Sequence, residues 1–116
     1  MDRSKVLASL SALSNEARLD LMRLLVVAGD EGMAAGKIGG ELGHSASRLS
    51  FHLAILEQAG LIKSRRVARN VIYSADFGGL GGTISYLLRD CCMDHPQVHA
   101  CCNRSGLASA IPMLSE

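Results

Sequence analysis

Four cysteines stand in two adjacent pairs, Cys91-Cys92 and Cys101-Cys102, near the end of a chain of 116 residues. In a reducing compartment, clustered thiols bind metals or sense redox state more often than they form structural disulfides. Thiolate is also the soft donor that thiophilic ions prefer. The two pairs therefore indicate a thiol site, in which metal binding and redox sensing are both open.

Three kinds of chemistry compete for these thiols. A tetrahedral Zn²⁺ site would draw on the cysteines and on His95 or His99, which lie between the two pairs. Alternatively, the adjacent thiols would form a redox switch. The third alternative is a small thiol-dependent reductase, whose nucleophile is usually activated at a helix N-terminus or in a Cys-x-x-Cys motif. Cys91 and Cys92 instead end a predicted helix, where the dipole opposes thiolate formation. We therefore predict that the chain is not an enzyme.

A second chemical feature is a basic segment in a nearly neutral protein, whose net charge is +1. Residues 44–75 carry five basic side chains against one acid, Glu57, a local charge of +4, while the rest of the chain carries −3. The five are Arg48, Lys63, Arg65, Arg66 and Arg69. A local basic face favours a polyanionic partner, although a solvated charged hairpin would have the same composition.

The composition is that of one small globular domain, with 48% hydrophobic, 20% charged and 3% aromatic residues. A chain this short buries a modest fraction of its surface, so we expect a partner subunit. The apolar runs are too short to span a bilayer, and Met1-Asp2-Arg3-Ser4 is not followed by a signal core. We expect a cytoplasmic protein that does not bind membranes.

Helical spacing of apolar residues dominates the first half of the chain. It predicts a first helix over Val6–Leu13, with one apolar stripe made of Val6, Leu7, Leu10 and Leu13. A second helix is capped by Ser14 or Asn15 and ended by Gly29, and a short helix follows over Ala35–Leu42. The fourth helix, over Ala46–Gln58, is capped by Ser45 and directs Leu49, Leu53 and Leu56 inward.

The period then changes. Two short strands are predicted over Leu61–Val67 and Val71–Ser74, with Asn70 in the left-handed conformation of the turn. Asp76 is predicted to cap a last helix over 77–92, which presents Leu80, Ile84, Leu87 and Leu88 on one face. Pro96 is expected to end any helix that continues past the cysteines. The resulting fold class is mainly α with a β-hairpin wing, a winged helix-turn-helix.

Two stretches resemble the ArsR/SmtB family of winged-helix repressors. One is ELGHSASRLSFHLAILEQAGLI over Glu41–Ile62, and the other is LSNEARL over Leu13–Leu19. The spacing Ser-x-His-Leu-x-x-Leu-x-x-Ala-Gly-Leu from Ser50 to Leu61 is fairly specific for that family. The resemblance implies a homodimer on double-stranded operator DNA, with the first and last helices at the dimer interface.

The DNA-contacting residues are predicted from both the pattern and the resemblance. Short hydroxyls, one Arg and one His on the exposed side of the fourth helix suit phosphates and base edges in the major groove, and the basic wing suits phosphates, with its tip near the minor groove. The predicted set is Ser45, Ser47, Arg48, Ser50, His52, Arg65, Arg66, Arg69 and Asn70. Phe51 is expected mainly to pack in the core, and contact with a thymine methyl group is the alternative.

The C-terminal cysteines resemble the ending of arsenic-responsive members of the family. The resemblance implies that trivalent arsenic or antimony, As(III) or Sb(III), is the inducer, with Cys91, Cys92, Cys101 and Cys102 as candidate ligands. Three thiolates would surround the ion in a pyramid, and the helix would have to unwind near Cys92 because adjacent helical residues point about 100° apart. The predicted domains are 1–92 for DNA binding and dimerisation and 93–116 for the inducer-binding segment and tail. Zn²⁺ and redox sensing remain the alternatives.

Overall fold

The computed structural model describes residues 1–103, and the chain divides into two compact units, Met1–Thr83 and a second that begins at Ile84. The helices are α1 (Arg3–Leu13), α2 (Glu16–Ala28), α3 (Ala35–Leu42), α4 (Ala46–Gln58), α5 (Phe77–Tyr86) and α6 (Pro96–Cys102), and the strands are β1 (Met33–Ala34), β2 (Ile62–Val67) and β3 (Asn70–Ala75). The boundary placed at residue 92 from the sequence stays a prediction, and the tail from residue 104 lies outside the described residues.

The predicted starts of α2 and α5 are confirmed by side-chain caps, whereas α1 begins at Arg3 and not at Val6. The Asn15 side chain accepts a hydrogen bond from the Arg18 amide at 3.1 Å, and the Asp76 carboxylate accepts one from the Gly79 amide at 3.1 Å. Each cap satisfies an N–H group that the first turn of a helix leaves unpaired. The bounds of α3 and α4 are those expected from the apolar spacing.

The core of the first unit is aliphatic, as the scarcity of aromatic residues predicts. Leucines from α2 and α4 meet Ile38 of α3 and the first residues of the wing, and all of them are almost completely buried. The largest buried members are Leu21, Leu25, Ile38, Leu49, Leu53, Leu56 and Leu61. This packing decides which side of α4 is left to the solvent.

The predicted apolar stripe of α1 is wrong in part. Val6, Ser9 and Ala12 are the residues that α1 buries, whereas Leu7 is 57% exposed and Leu10 is also exposed. The two small residues let α1 pack closely, and the Ser9 hydroxyl donates to the Ala59 carbonyl at 3.4 Å. This close packing turns the leucines outward.

The predicted hairpin wing is confirmed as the antiparallel pair of β2 and β3, and β1 adds a third strand that the sequence did not predict, in the order β1-β3-β2. β1 pairs Met33 with Tyr73, and its two residues are too few to show an alternating pattern. The left-handed residue predicted at Asn70 is also wrong, because Asn70 pairs with Val67 in the ladder and Ala68 takes the positive φ of 56°. A two-residue turn joins the strands, and this turn needs a residue with positive φ.

The predicted helix over 77–92 is interrupted. Regular α-helix ends at Tyr86, and a π-helical turn, Leu87–Cys91, follows it. This turn ends at Cys91, so no helix continues from it to Pro96. Pro96 instead begins α6, a helix that the sequence did not predict, at the position where its missing N–H costs nothing. No helix within residues 1–103 is long and apolar enough to cross a bilayer.

The close approach of α5 to the end of α4 generates a stability prediction. A Cβ on Gly79 would overlap the Gly60 carbonyl oxygen, whereas a Cβ on Gly81 in the same helix would meet nothing within 4 Å. We expect Gly79→Ala to lower the free energy of unfolding by about 1–3 kcal/mol through overpacking.

The matched control, Gly81→Ala, should raise the free energy of unfolding by roughly 0.5–1 kcal/mol because Ala favours a helix. Urea denaturation of both variants at neutral pH makes the comparison. Equal effects at the two glycines would contradict the close approach.

Candidate nucleic-acid interface and thiol cluster

A tight corner joins α3 to α4. Gly43 ends α3 with φ 69°, and the His44 amide donates to the Gly39 carbonyl at 3.1 Å. Ser45 then begins α4, and its Oγ accepts a hydrogen bond from the Arg48 amide at 3.3 Å. Two helices joined by a short turn containing glycine form a helix-turn-helix, and α4 is its second, recognition helix.

The outward side of α4 carries small and polar side chains. Ser47, Arg48 and Ser50 are exposed there, as the sequence predicts. Ser45 is exposed too, and its cap to the Arg48 amide leaves the hydroxyl proton free to donate. Hydroxyl and guanidinium groups in this position suit phosphate oxygens and base edges.

The expected exposure of His52 is wrong. The side chain is only 7% exposed, because it lies between the apolar side of α4 and the start of α2. Arg18 of α2 donates from Nη1 to His52 Nδ1 at 3.0 Å and from Nε to the Ala12 carbonyl at 2.6 Å. Since Arg has no acceptor, Nδ1 must accept, and the neutral ring carries its proton on Nε2. His52 therefore holds α4 in position.

The surroundings of His52 disfavour its charged form. Burial lowers the pKa of His52 below its ordinary value, and the positive charges of Arg18, Arg48 and protonated His44 lower the pKa further. The rings of His44 and His52 lie 5.9 Å apart, so the two imidazoles and Arg18 form one cluster behind the recognition helix. A neutral His52 fits the hydrogen bond that it accepts from Arg18.

Phe51 also differs from its expected position on α4. Its side chain is 61% exposed, so the predicted role in the core is wrong. The ring meets the neighbouring His52 ring edge-on, with centroids 5.3 Å apart and planes at 66°. Sequence reasoning assigned Phe51 inward and His52 outward, and the hydrogen bond from Arg18 accounts for the exchange.

The wing presents most of its predicted residues to the solvent. Arg66, Arg69 and Asn70 are exposed at or near the turn. Arg65 is exposed as well, but it donates from Nη2 to the Glu31 carbonyl at 2.8 Å and from Nη1 to the Asp30 carbonyl at 3.4 Å. Arg65 thus ties the wing to the turn after α2.

Two contacts that the sequence did not signal position these groups. The Ser64 hydroxyl donates to Glu57 Oε2 at 2.7 Å and joins the wing to α4. Arg18 joins α1, α2 and α4 through partners that lie up to 34 residues away. Such pairings leave no periodic pattern in a sequence, so reasoning from spacing does not find them.

The second unit contains all four cysteines. Cys91 ends the π-helical turn, Cys92 follows it, and Cys101 and Cys102 end α6. Cys91, Cys101 and Cys102 are exposed, and Cys92 is partly buried. Met93 and Asp94 both have positive φ, 53° and 55°, so the chain reverses sharply between the two pairs.

The surroundings of Cys92 disfavour its thiolate form. Burial raises the pKa of Cys92, and so does the proximity of the Cys91 and Cys102 side chains. A raised pKa does not suit a catalytic nucleophile, which needs a thiolate at neutral pH.

The two histidines of the second unit have other partners. His95 Nδ1 accepts a hydrogen bond from the Gln97 amide at 3.1 Å, which caps α6. His99 Nε2 pairs with Asp94 Oδ1 at 2.8 Å. In the part of the chain that the structure describes, no three His, Cys, Asp or Glu side chains converge in a geometry that would hold a metal ion.

The buried His52 generates a pH prediction. The pKa of His52 is lower in the folded state than its ordinary value of 6.5. As the pH falls below 6.5, the unfolded chain therefore binds a proton at His52 before the folded chain does. The contribution of His52 to stability is thus complete above pH 6.5 and is lost as the pH falls below it. We expect the free energy of unfolding to fall more steeply in the wild type than in His52→Gln between about pH 7 and about pH 5. Urea unfolding across that range measures it, and parallel curves would contradict the assignment.

Comparisons with known proteins agree with this architecture. A helix-turn-helix domain model matches residues 13–65. The transcriptional activator HlyU of Vibrio cholerae is 33% identical over 89 residues, which are 77% of this chain and 80% of that protein. The solved structure of reduced HlyU from that organism covers 74% of this chain and 87% of its own, at 32% identity and a TM-score of 0.60.

Two further structures extend the likeness. An ArsR-like transcriptional regulator from Rhodococcus sp. RHA1 is 26% identical with a TM-score of 0.69, over 84% of this chain and 89% of that one. A homodimeric winged helix-turn-helix DNA-binding domain from Mycobacterium bovis, a possible ArsR-family regulator, is 25% identical with a TM-score of 0.59. This match covers 83% of this chain and 84% of the M. bovis chain. The relatives are transcriptional regulators, not enzymes, which confirms the prediction about catalysis. With its helix-turn-helix, its wing and these relatives, the chain belongs to the ArsR/SmtB-like family of winged-helix transcriptional regulators.

Proposed function

We propose that this regulator is a repressor that leaves its operator when trivalent arsenic or antimony binds the C-terminal thiols. The observation that carries the proposal is the position of the two cysteine pairs on either side of a sharp reversal, with Cys91 and Cys92 before it and Cys101 and Cys102 after it. Cys102 is chosen from the second pair because it contributes to the raised pKa of Cys92. Three thiolates are the donor set that a trivalent pyramidal ion requires, and soft ions prefer sulfur. The direction of regulation is part of the proposal, since HlyU is an activator.

The π-helical turn supports a site made from adjacent cysteines. A π-helical turn contains more residues than an α-helical turn. Consecutive side chains are therefore separated by a smaller angle about the helix axis than the angle of about 100° in a regular α-helix. The Cys92 amide donates to the Leu87 carbonyl at 2.9 Å, which is the hydrogen bond of this wider turn. Closing the pyramid then requires α6 to bring Cys102 onto the ion. Ligand binding would therefore move the end of the chain, and this motion is the proposed route to DNA release.

Zinc is the weaker alternative for this site. His95 caps α6 through Nδ1 and His99 pairs with Asp94 through Nε2, so each imidazole would have to bind zinc through its other ring nitrogen or give up its present partner. A redox switch is the second candidate, because Cys91 and Cys92 are adjacent free thiols and a solved structure of HlyU is of its reduced form. Arsenite, antimonite, zinc and peroxide tested in parallel separate the three.

On the DNA side, we propose a homodimer that places one α4 in each of two major grooves. Exposed Leu7 and Leu10 on α1, and Ile84 near the end of α5, 48% exposed, are apolar side chains for a second copy to cover. The matched domain from M. bovis is a homodimer. Two copies present two recognition helices to an operator with roughly two-fold symmetry. An inducer that weakens DNA binding must itself bind more weakly to the DNA complex, by a coupling of typically ~1–3 kcal/mol.

The exposed wing generates a prediction about salt dependence. We expect Arg69→Ala to weaken binding to operator and to random DNA alike, and to reduce the slope of log affinity against log salt concentration by about one, since one phosphate contact is lost. Fluorescence anisotropy over a salt series gives both quantities. An unchanged slope would remove the tip of the wing from the DNA-binding face.

Arg48→Ala is the contrasting variant in the same series. It should lose more affinity for operator than for random DNA, because a base contact contributes ~1–3 kcal/mol of discrimination. Equal losses on both DNAs would assign Arg48 to the phosphate backbone.

The thiol cluster generates the induction prediction. Cys91→Ser, Cys92→Ser and Cys102→Ser should each bind operator as the wild type does and fail to release it with arsenite, because Ser keeps the size and loses the soft donor. Cys101→Ser is the matched control, and we expect its release to be nearly normal. Operator release titrated with arsenite measures all four.

Two other outcomes would redirect the proposal. If both Cys101→Ser and Cys102→Ser respond fully, the site uses the first pair alone, which favours a methylated arsenical. If all four variants respond to arsenite but lose their response to zinc or peroxide, the protein is a zinc or redox sensor. His95→Ala and His99→Ala should respond almost normally to arsenite, since imidazole is a poor substitute for thiolate on arsenic.

A further inference from the structure

The recognition helix presents a large apolar side chain at the centre of its outward side. Phe51 is 61% exposed, although Leu49, Leu53 and Leu56 of the same helix are buried. With 3.6 residues per turn, Phe51 shares an outward line with Ser47 and Ala54, four positions before it and three after it. This line lies opposite the buried leucines, so it is the part of α4 that enters a groove most deeply.

The neighbours of Phe51 make its ring the most prominent group on this line. Ser47, Ser50 and Ala54 are all exposed and all short. A phenyl ring projects well beyond a hydroxymethyl or a methyl group. When this side of α4 enters the major groove, the Phe51 ring is therefore the first group to reach the edges of the bases.

The ring is also held from behind. Its edge-on contact with His52, at 5.3 Å between centroids, rests on an imidazole that is buried and hydrogen-bonded to Arg18. Edge-to-face packing is a favourable aromatic geometry. Because the ring is already supported in the free protein, less side-chain freedom is lost when it meets a partner.

The major groove offers one apolar group, the 5-methyl of thymine. A phenyl ring has no donor for a phosphate and no acceptor for a base edge, so polar contacts do not account for Phe51 at this position. We infer that Phe51 is a specificity-determining residue that recognises a thymine through its 5-methyl group. The inference rests on DNA binding by α4 and is independent of the inducer.

The test begins with selection of binding sites by the full-length wild-type protein from a random duplex library. Each enriched thymine is then replaced by deoxyuridine, which lacks only the methyl group, in one half-site at a time. At one position we expect wild-type affinity to fall roughly three- to tenfold, the size expected for losing one buried methyl contact. Phe51→Ala should bind the thymine and deoxyuridine sites equally, and Phe51→Leu should recover part of the difference.

Phe77→Ala is the matched control. Phe77 is the other phenylalanine of the chain, it is 45% exposed, and it lies on α5 outside the recognition helix. This variant should keep the wild-type difference between the thymine and deoxyuridine sites. The comparison separates a contact with the methyl group from a general effect of removing an exposed ring.

Several results would overturn the inference. In the first, Phe51→Ala keeps the full difference in affinity between the thymine and deoxyuridine sites. In the second, no deoxyuridine replacement changes the affinity of the wild type. In the third, Phe51→Ala loses the same affinity for selected DNA as for random DNA. Sedimentation showing that Phe51→Ala changes only self-association would assign the ring to a protein contact instead. If the wild type enriches no site, DNA binding by α4 fails together with this inference.

Discussion

The hydrogen bonds of Arg18 are the constraint on which the recognition surface depends. Its guanidinium, partly buried, donates to the Ala12 carbonyl at the end of α1 and to His52 of α4. A buried cation must satisfy its donors, because an unpaired one is costly to remove from water. These two contacts join three helices and, together with the burial of Leu49, Leu53 and Leu56, hold α4 in one rotation about its axis. That rotation places Phe51 and the serines outside and His52 inside.

Close backbone packing supports the same surface from the other side. Gly32 has φ +72°, and a Cβ there would overlap the carbonyl of Tyr73 in β3. β3 is thereby held between β1 and β2, while Arg65 bonds to the turn after α2 and Ser64 bonds to Glu57 of α4. The wing is therefore a supported strand pair, and its exposed arginines project from a defined backbone. This order suits contacts with phosphates, which position a protein on DNA.

The second unit is built on different principles. Residues 84–103, the part of it that the structure describes, bury no large aliphatic core, and their shape comes from a π-helical turn, two residues with positive φ and a proline at the start of α6. The Asp94–His99 pair joins the reversal to α6. All the cysteines of the protein lie here. Side chains on short, weakly packed elements can rearrange at low cost, which fits the proposed inducer site.

The sequence by itself determined the bounds of α3 and α4, the caps of α2, α4 and α5, the existence of the wing and the family, because these depend on local spacing, on capping side chains and on short motifs. It placed Leu49, Leu53 and Leu56 correctly for the same reason. Only the tertiary structure decided that His52 turns inward and Phe51 outward, that α1 buries Ser9 in place of leucines, and that Cys102 is the thiol of the second pair that contributes to the raised pKa of Cys92. Each of these depends on contacts between residues distant along the chain or across a sharp reversal. The free energy of such contacts is decided by packing and desolvation, which no local pattern records.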